Sequence, residues 1–92
     1  MANEAACPKR RERVLTQRIE EAVVLLDADS GKYYSLDEVG GRMWDLCDGT
    51  RTLRQLVTVI CEEYEASVKV VEADITELLT ELTGESLVVY TS

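Results

Sequence analysis

The run from Leu26 to Gly40, Leu-Asp-Ala-Asp-Ser-Gly-Lys-Tyr-Tyr-Ser-Leu-Asp-Glu-Val-Gly, changes period in its middle and so fixes a strand against a helix. Asp29-Ser30-Gly31 carries turn chemistry: the Asp and Ser side chains bond the local backbone, and Gly admits a positive φ. Lys32 to Leu36 then alternates as a Tyr-rich strand. At Asp37, a good N-cap, the period moves from two to about 3.6. Val39, Met43, Leu46 and Cys47 line one face of the helix that follows, with Trp44 beside it, and Gly49 is placed to end it.

Upstream, Val14 to Ile19 mixes β-branched and polar residues and reads as a strand. Ala22 to Leu26 is continuously apolar, as expected of a strand covered on both faces or central among three. Short connections make an antiparallel three-stranded meander the default. Downstream, Thr52 and Gln55 form a capping box for a second helix, whose stripe is Leu53, Leu56, Val57, Ile60, Cys61 and Tyr64. Ser67 is expected to cap a third helix, with Val71, Ile75, Leu78, Leu79 and Leu82 as its stripe and Gly84 as its end. Leu87 to Tyr90 could be a strand returning to the sheet. Residues 1–11 read as a flexible arm and 12–92 as one domain. The expected class is α+β, with a three-stranded antiparallel sheet followed by three helices (βββααα) in a winged-helix-like arrangement. Gly40-Gly41 near a helix start costs about 1 kcal/mol per residue relative to alanine, which close packing on the sheet would explain.

The chain has 92 residues and a net charge of −8. Residues 1–18 hold five basic residues against Glu4 and Glu12, a net +3, so the remainder carries −11. An acidic body cannot neutralise phosphates, so no nucleic acid is expected as a partner. The acidity suits either a cationic partner or plain solubility. No apolar run approaches the ~18 residues of a membrane span, and Met1 to Pro8 lacks the apolar block of a signal peptide. A cytoplasmic protein with no membrane partner is expected. Cys7, Cys47 and Cys61 have no metal-binding spacing and there is no histidine, so neither a metal nor a cofactor is expected. Cys47 and Cys61 fall at apolar helical positions, while Cys7 is expected to be exposed. No nucleophile–base constellation or phosphate-binding loop is present, and catalysis is not expected.

The meander leaves the third predicted strand, Lys32 to Leu36, at a sheet edge. Either the third helix or the C-terminal segment covers that edge, or it is bare and can take an extended peptide as an added strand. Asp74, Glu77 and Glu81 share a face of the third helix and read as solvated carboxylates.

Several segments together resemble one family in order and spacing. They are Pro8, Arg13-Val14, Val23 to Asp27, Ser30 to Gly40, Trp44, Asp48-Gly49, Thr52-Leu53, Tyr64, Val71 to Ile75 and Leu78-Leu79. The resemblance is to the PqqD-like leader-peptide recognition domains of ribosomal peptide natural-product biosynthesis, above all the stand-alone leader-binding proteins of lasso-peptide clusters. It implies a non-catalytic protein that holds a precursor's leader peptide for a leader peptidase and a cyclase of the same cluster. The leader would add to the third strand, along Lys32, Tyr33, Tyr34 and Ser35. Val71, Asp74 and Leu78 would wall the groove, with Glu77 at its rim. Tyr34 and Leu36 would point to the core and Tyr33 away, and Trp44 would belong to the core. Asp74 is either a recognition residue or a solvated charge. A peptide chaperone for a radical enzyme, a winged-helix transcription regulator and an acidic adaptor dimerising through its edge are the alternatives. The acidic third helix opposes the regulator.

Overall fold

The computed structural model describes residues 6–91. Three strands form the expected meander: β2 (Val14–Ile19), β3 (Ala22–Asp27) and β4 (Tyr33–Leu36) are antiparallel, in the order β2-β3-β4. They lead into α1 (Glu38–Leu46), α2 (Leu53–Tyr64) and α3 (Val68–Gly84). The class is thus α+β, a three-stranded antiparallel sheet followed by three helices.

Two further strands surround this unit. Residues 7–10 do not lie loose: β1 (Cys7–Arg10) pairs antiparallel with β5 (Val88–Thr91). The C-terminal strand therefore returns, but to the N-terminus and not to the meander. Residues 1–5 of the arm expected from the sequence lie outside the described residues. The Arg11 N–H donates to the Leu87 carbonyl, so odd-numbered β1 residues face the β5 ladder. Pro8 then faces the other side, where its carbonyl accepts from Gly49 N–H and its missing N–H removes no β5 bond. Cys7 sits in this strand half-buried, not exposed as expected.

The caps show why the helices begin where they do. Asp37 Oδ1 accepts from Gly40 N–H at 2.7 Å. Thr52 and Gln55 make both bonds of the capping box, 3.2 and 2.8 Å. Ser67 holds the N-cap position of α3 without a side-chain bond, and α3 runs through Gly84, the reversal coming at Ser86 with φ 60°. At the end of α1 the Arg10 guanidinium donates to the Trp44 and Asp45 carbonyls at 2.8 and 2.7 Å, filling acceptors the helix leaves open.

One core joins both layers: Val23, Leu25 and Leu36 from the sheet, Met43 and Trp44 from α1, Leu56 and Ile60 from α2, and Ile75, Leu79 and Leu82 from α3. Trp44 is buried, and its Nε1–H donates to Thr16 Oγ1 on β2 at 2.9 Å. Cys47 is buried as expected, its thiol pushed up to about 12 by loss of solvation; Cys61 is only half-buried. The glycine pair also has its reason. A Cβ on Gly41 would stand 2.4 Å from Val23 Cγ2, so only glycine lets the α1 backbone lie on β3.

Gly41→Ala should lower stability despite alanine's better helix propensity, because overpacking costs about 1–3 kcal/mol. Gly84→Ala, whose added Cβ would meet nothing within 4 Å, should be neutral or stabilise by up to about 1 kcal/mol. Denaturant midpoints for the two variants test this; a Gly41→Ala protein as stable as the parent would refute the close contact.

Candidate functional site

β4 is the terminal strand of the meander and pairs with β3 alone among the described residues. Its register with β3 sets Tyr34 opposite Leu25 and Tyr33 opposite Leu26. The Asp27 N–H donates to the Lys32 carbonyl at 2.9 Å, so Tyr34 and Leu36 turn their backbone groups to β3, while the Lys32 N–H donates to Ser30 Oγ at 3.2 Å. By the same alternation the N–H and C=O groups of Tyr33 and Ser35 point outward, away from the sheet. Among the described residues no strand pairs with the outer edge of the third predicted strand: β5 lies on β1.

The side chains alternate the other way. Leu36 is buried and Tyr34 is half-buried against the core. Tyr33 is 72% exposed and Ser35 is exposed on the opposite face. Lys32 is exposed at the turn, just before β4 begins. The turn is held by Asp27, a buried carboxylate. Its Oδ1 accepts from Arg13 Nε at 3.0 Å and from Asp29 N–H at 3.0 Å, and its carbonyl accepts from Gly31 N–H at 2.8 Å. Gly31 has φ +77°, the conformation this turn needs. The Arg13 guanidinium holds the Asp27 carboxyl below the usual carboxylate range. Arg13 also donates to the Ser86 carbonyl, tying the sheet to the turn after α3.

Helix α3 runs beside the β4 edge. Leu78 packs where α1 leaves β4, 3.3 Å from where a Gly40 Cβ would stand, and Leu36 lies at the same point. Nearer the other end of β4, Glu85 and Glu81 lie close to the Tyr34 hydroxyl. Loss of solvation raises the Tyr34 pKa, and those two carboxylates raise it further. Helix geometry sets Asp74 one turn from Leu78, and Glu77 one turn from Glu81, on the same flank. The residues expected around a groove therefore split. Leu78, Asp74 and Glu77 lie along α3 with the last two exposed, whereas Val71 is 5% exposed and belongs to the core. Glu81, which the sequence pattern reads as a solvated carboxylate, stands beside Tyr34 at the edge strand, as does Glu85. No periodicity could reveal this, because it depends on how α3 crosses the sheet.

The outer face of the meander carries a second feature. Leu15, Leu26 and Tyr33 are aligned across the three strands, and the two leucines are 58% and 36% exposed. Ile19, further along β2, is also exposed.

A small α+β domain with an edge strand, β4, beside an acidic helix is the class these features define. The chain belongs to the PqqD family: residues 22–88 match the family described as Coenzyme PQQ synthesis protein D (PqqD). It is similar to TbiB1, solved in complex with the TbiA(beta) leader peptide, at 34% identity and TM-score 0.76, over 87% of this chain and 93% of that one. A lasso peptide synthetase B1 complexed with its leader peptide shares the fold at 22% identity and TM-score 0.76, over 89% of this chain and 96% of that chain. So does the PqqD truncation of Methylobacterium extorquens PqqCD, a stand-alone RiPP recognition element, at 24% identity and TM-score 0.77, over 95% of this chain and 93% of that chain. A comparison with curated proteins gives no match. No helix among the described residues is long and apolar enough to cross a membrane.

The Asp27 carboxyl titrates below its ordinary value in the fold, so its contribution is complete above about pH 4 and is lost as pH falls through the lowered value. The acid-side midpoint of unfolding should therefore shift upward in Asp27→Asn, with the parent and variant converging at the lowest pH. Acid titrations followed by circular dichroism measure this; a constant gap between the two at all pH values would show that Asp27 acts through shape and not charge.

Proposed function

We propose that this chain binds the leader segment of a ribosomally made precursor peptide as a strand added to the open edge of β4, and that it catalyses nothing itself. The observation that carries the reading is the outward-facing set of backbone groups on Tyr33 and Ser35, beside α3. Main-chain bonds to that edge give affinity, and the α3 flank supplies side-chain selectivity. Membership of the PqqD family and the likeness to TbiB1, solved with a leader peptide, support the same reading. In this role the chain delivers the precursor, in the cytoplasm, to a leader peptidase and a cyclase.

Lys32, Tyr33, Tyr34 and Ser35 run along the bound backbone, with Leu78, Asp74 and Glu77 opposite and Val71 supporting the helix from within. Asp74 accepts a charge-assisted bond from the peptide, of a kind worth roughly 1.5–3 kcal/mol. The Leu15–Leu26–Tyr33 row is the docking face for the peptidase. A strand added to β4 continues that row, so a partner seated there touches protein and peptide together.

Calorimetric titration with synthetic leader and core halves of the precursor tests the binding mode. Leader should bind and core should not. Tyr33→Pro should reduce leader affinity at least tenfold while the domain still melts cooperatively, because the donor it removes faces the peptide. Tyr34→Pro should instead unfold or strongly destabilise the domain, since its N–H serves the β3 ladder. Asp74→Asn should cost tenfold or more in affinity and Glu72→Gln, on the opposite flank of α3, almost nothing. Normal binding by a folded Tyr33→Pro protein would remove the edge from the mechanism, and normal binding by Asp74→Asn would return that residue to solvent.

A cleavage assay tests the docking face. Leu15→Ser with Leu26→Ser should slow peptidase processing of the precursor at least fivefold with leader affinity unchanged. Parent-like processing would rule out this face.

A further inference from the structure

A cleft of about 380 Å³ opens beside β2, on the opposite side of the meander from β4. Lys9, Arg10 and Arg11 line it, with Thr16 of β2 and the carboxylates Glu12 and Asp48. Three consecutive cations thus meet one cleft in a chain of net charge −8. They do not serve the fold's own acids. Among the described residues, the ion pairs join Arg13 to Asp27 and Asp29, Arg18 to Asp45, Arg42 to Glu63, and Arg51 to Asp48. Asp48 is already held by Arg51 and by the Thr50 N–H and hydroxyl, so Glu12 alone is left to offset the three cations.

Two of the cations are fixed before any ligand arrives. Nη1 of the half-buried Arg10 donates to the Trp44 and Asp45 carbonyls, which anchors the guanidinium at the end of α1. Its Nε and Nη2 groups have no acceptor among the described residues. That pair forms the edge of a guanidinium that matches the two oxygens of a carboxylate. The Lys9 stem lies along Gly49, its Cδ 3.3 Å from where a Gly49 Cβ would stand. Thr16 adds two neutral donors. Its Oγ1 accepts from Trp44 Nε1, leaving the hydroxyl hydrogen to donate. Its N–H faces outward from the sheet, because the Arg13 carbonyl accepts from Ala28 N–H and β2 alternates from there. Trp44 therefore holds both groups, Arg10 through its carbonyl and Thr16 through its indole.

We infer that this cleft binds the carboxylates of an acidic peptide segment of a partner protein, with Arg10 making the bidentate contact and Lys9, Arg11 and Thr16 completing it. Lys9 and Arg11, two residues apart on an extended chain, stand about 6.6–6.8 Å apart. A row of that length suits several carboxylates along one chain better than one compact phosphate, and Glu12 opposes a doubly charged ion more than a single carboxylate. The acidic remainder of the molecule repels such a segment, so charge decides where it docks. The cleft lies away from β4, so a peptide on that edge and a partner at the cleft can be held at once.

NMR titration of the full chain with hexaglutamate blocked at both ends tests the inference. The Arg10 Nε–H and Thr16 N–H signals should move, those of Tyr33 and Ser35 should stay, and blocked hexaglutamine should move none. Lys9→Gln with Arg11→Gln should weaken hexaglutamate binding about tenfold at an unchanged melting temperature, since neither side chain bonds to the rest of the fold. Arg10→Gln should weaken it as much and also lower the melting temperature, because α1 loses its terminal donor. Raising salt from about 0.05 M to about 0.5 M should weaken parent binding. Parent-like affinity in the double variant, or shifts that leave the Arg10 and Thr16 signals in place, overturn the inference. Inorganic phosphate that moves the same signals and displaces hexaglutamate at equal concentration overturns the peptide as ligand. All of these outcomes leave the β4 reading untouched, because Tyr33→Pro should bind hexaglutamate like the parent.

Discussion

The contact between Gly41 and Val23 sets the geometry on which the site depends. With no Cβ in the way, the first turns of α1 lie directly on the central strand of the meander. The chain can then pass from β4 into α1 through Asp37 alone, and the edge strand is held rigidly at both ends. Gly40, one residue earlier, lets Leu78 of α3 reach the same point. Those adjacent glycines therefore fix both the seat of α1 and the position of α3 beside the open edge.

Polar contacts reinforce that frame where apolar packing is thin. Trp44 reaches β2 through Thr16, and Arg18 pairs with Asp45, so the strand furthest from the open edge is bound to α1. Arg42 grips Glu63 with two bonds of 2.7 and 2.8 Å and links α1 to α2. Exposed pairs of this kind contribute about 0–1 kcal/mol each, so they orient more than they stabilise. Asp27 is the exception in kind: a buried carboxylate that organises the turn before β4. In a domain of this size, with a stability margin of about 5–15 kcal/mol, the binding strand is positioned by a handful of such contacts.

A bare edge strand is also a hazard, because it invites pairing with a second copy. A net charge of −8 on each copy opposes that pairing.

Local chemistry made much of the fold legible in the amino-acid order. The turn at Asp29-Ser30-Gly31, the Asp37 and Thr52 caps and the stripes of the three helices depend on neighbours within a few residues, and all appear in the structure. The parity of β4 was legible too, which puts Tyr33 outside and Leu36 in the core. The β1–β5 pair was not: Cys-Pro-Lys-Arg has no alternation, and its partner lies some eighty residues on, at the far end of the chain. Tertiary packing decided that Glu81 stands by Tyr34. Sequence determines which side chains share a face of one element. Only the angle at which α3 crosses the sheet decides which face meets the open edge, because that angle is set by contacts between distant segments, the glycines of α1 foremost among them.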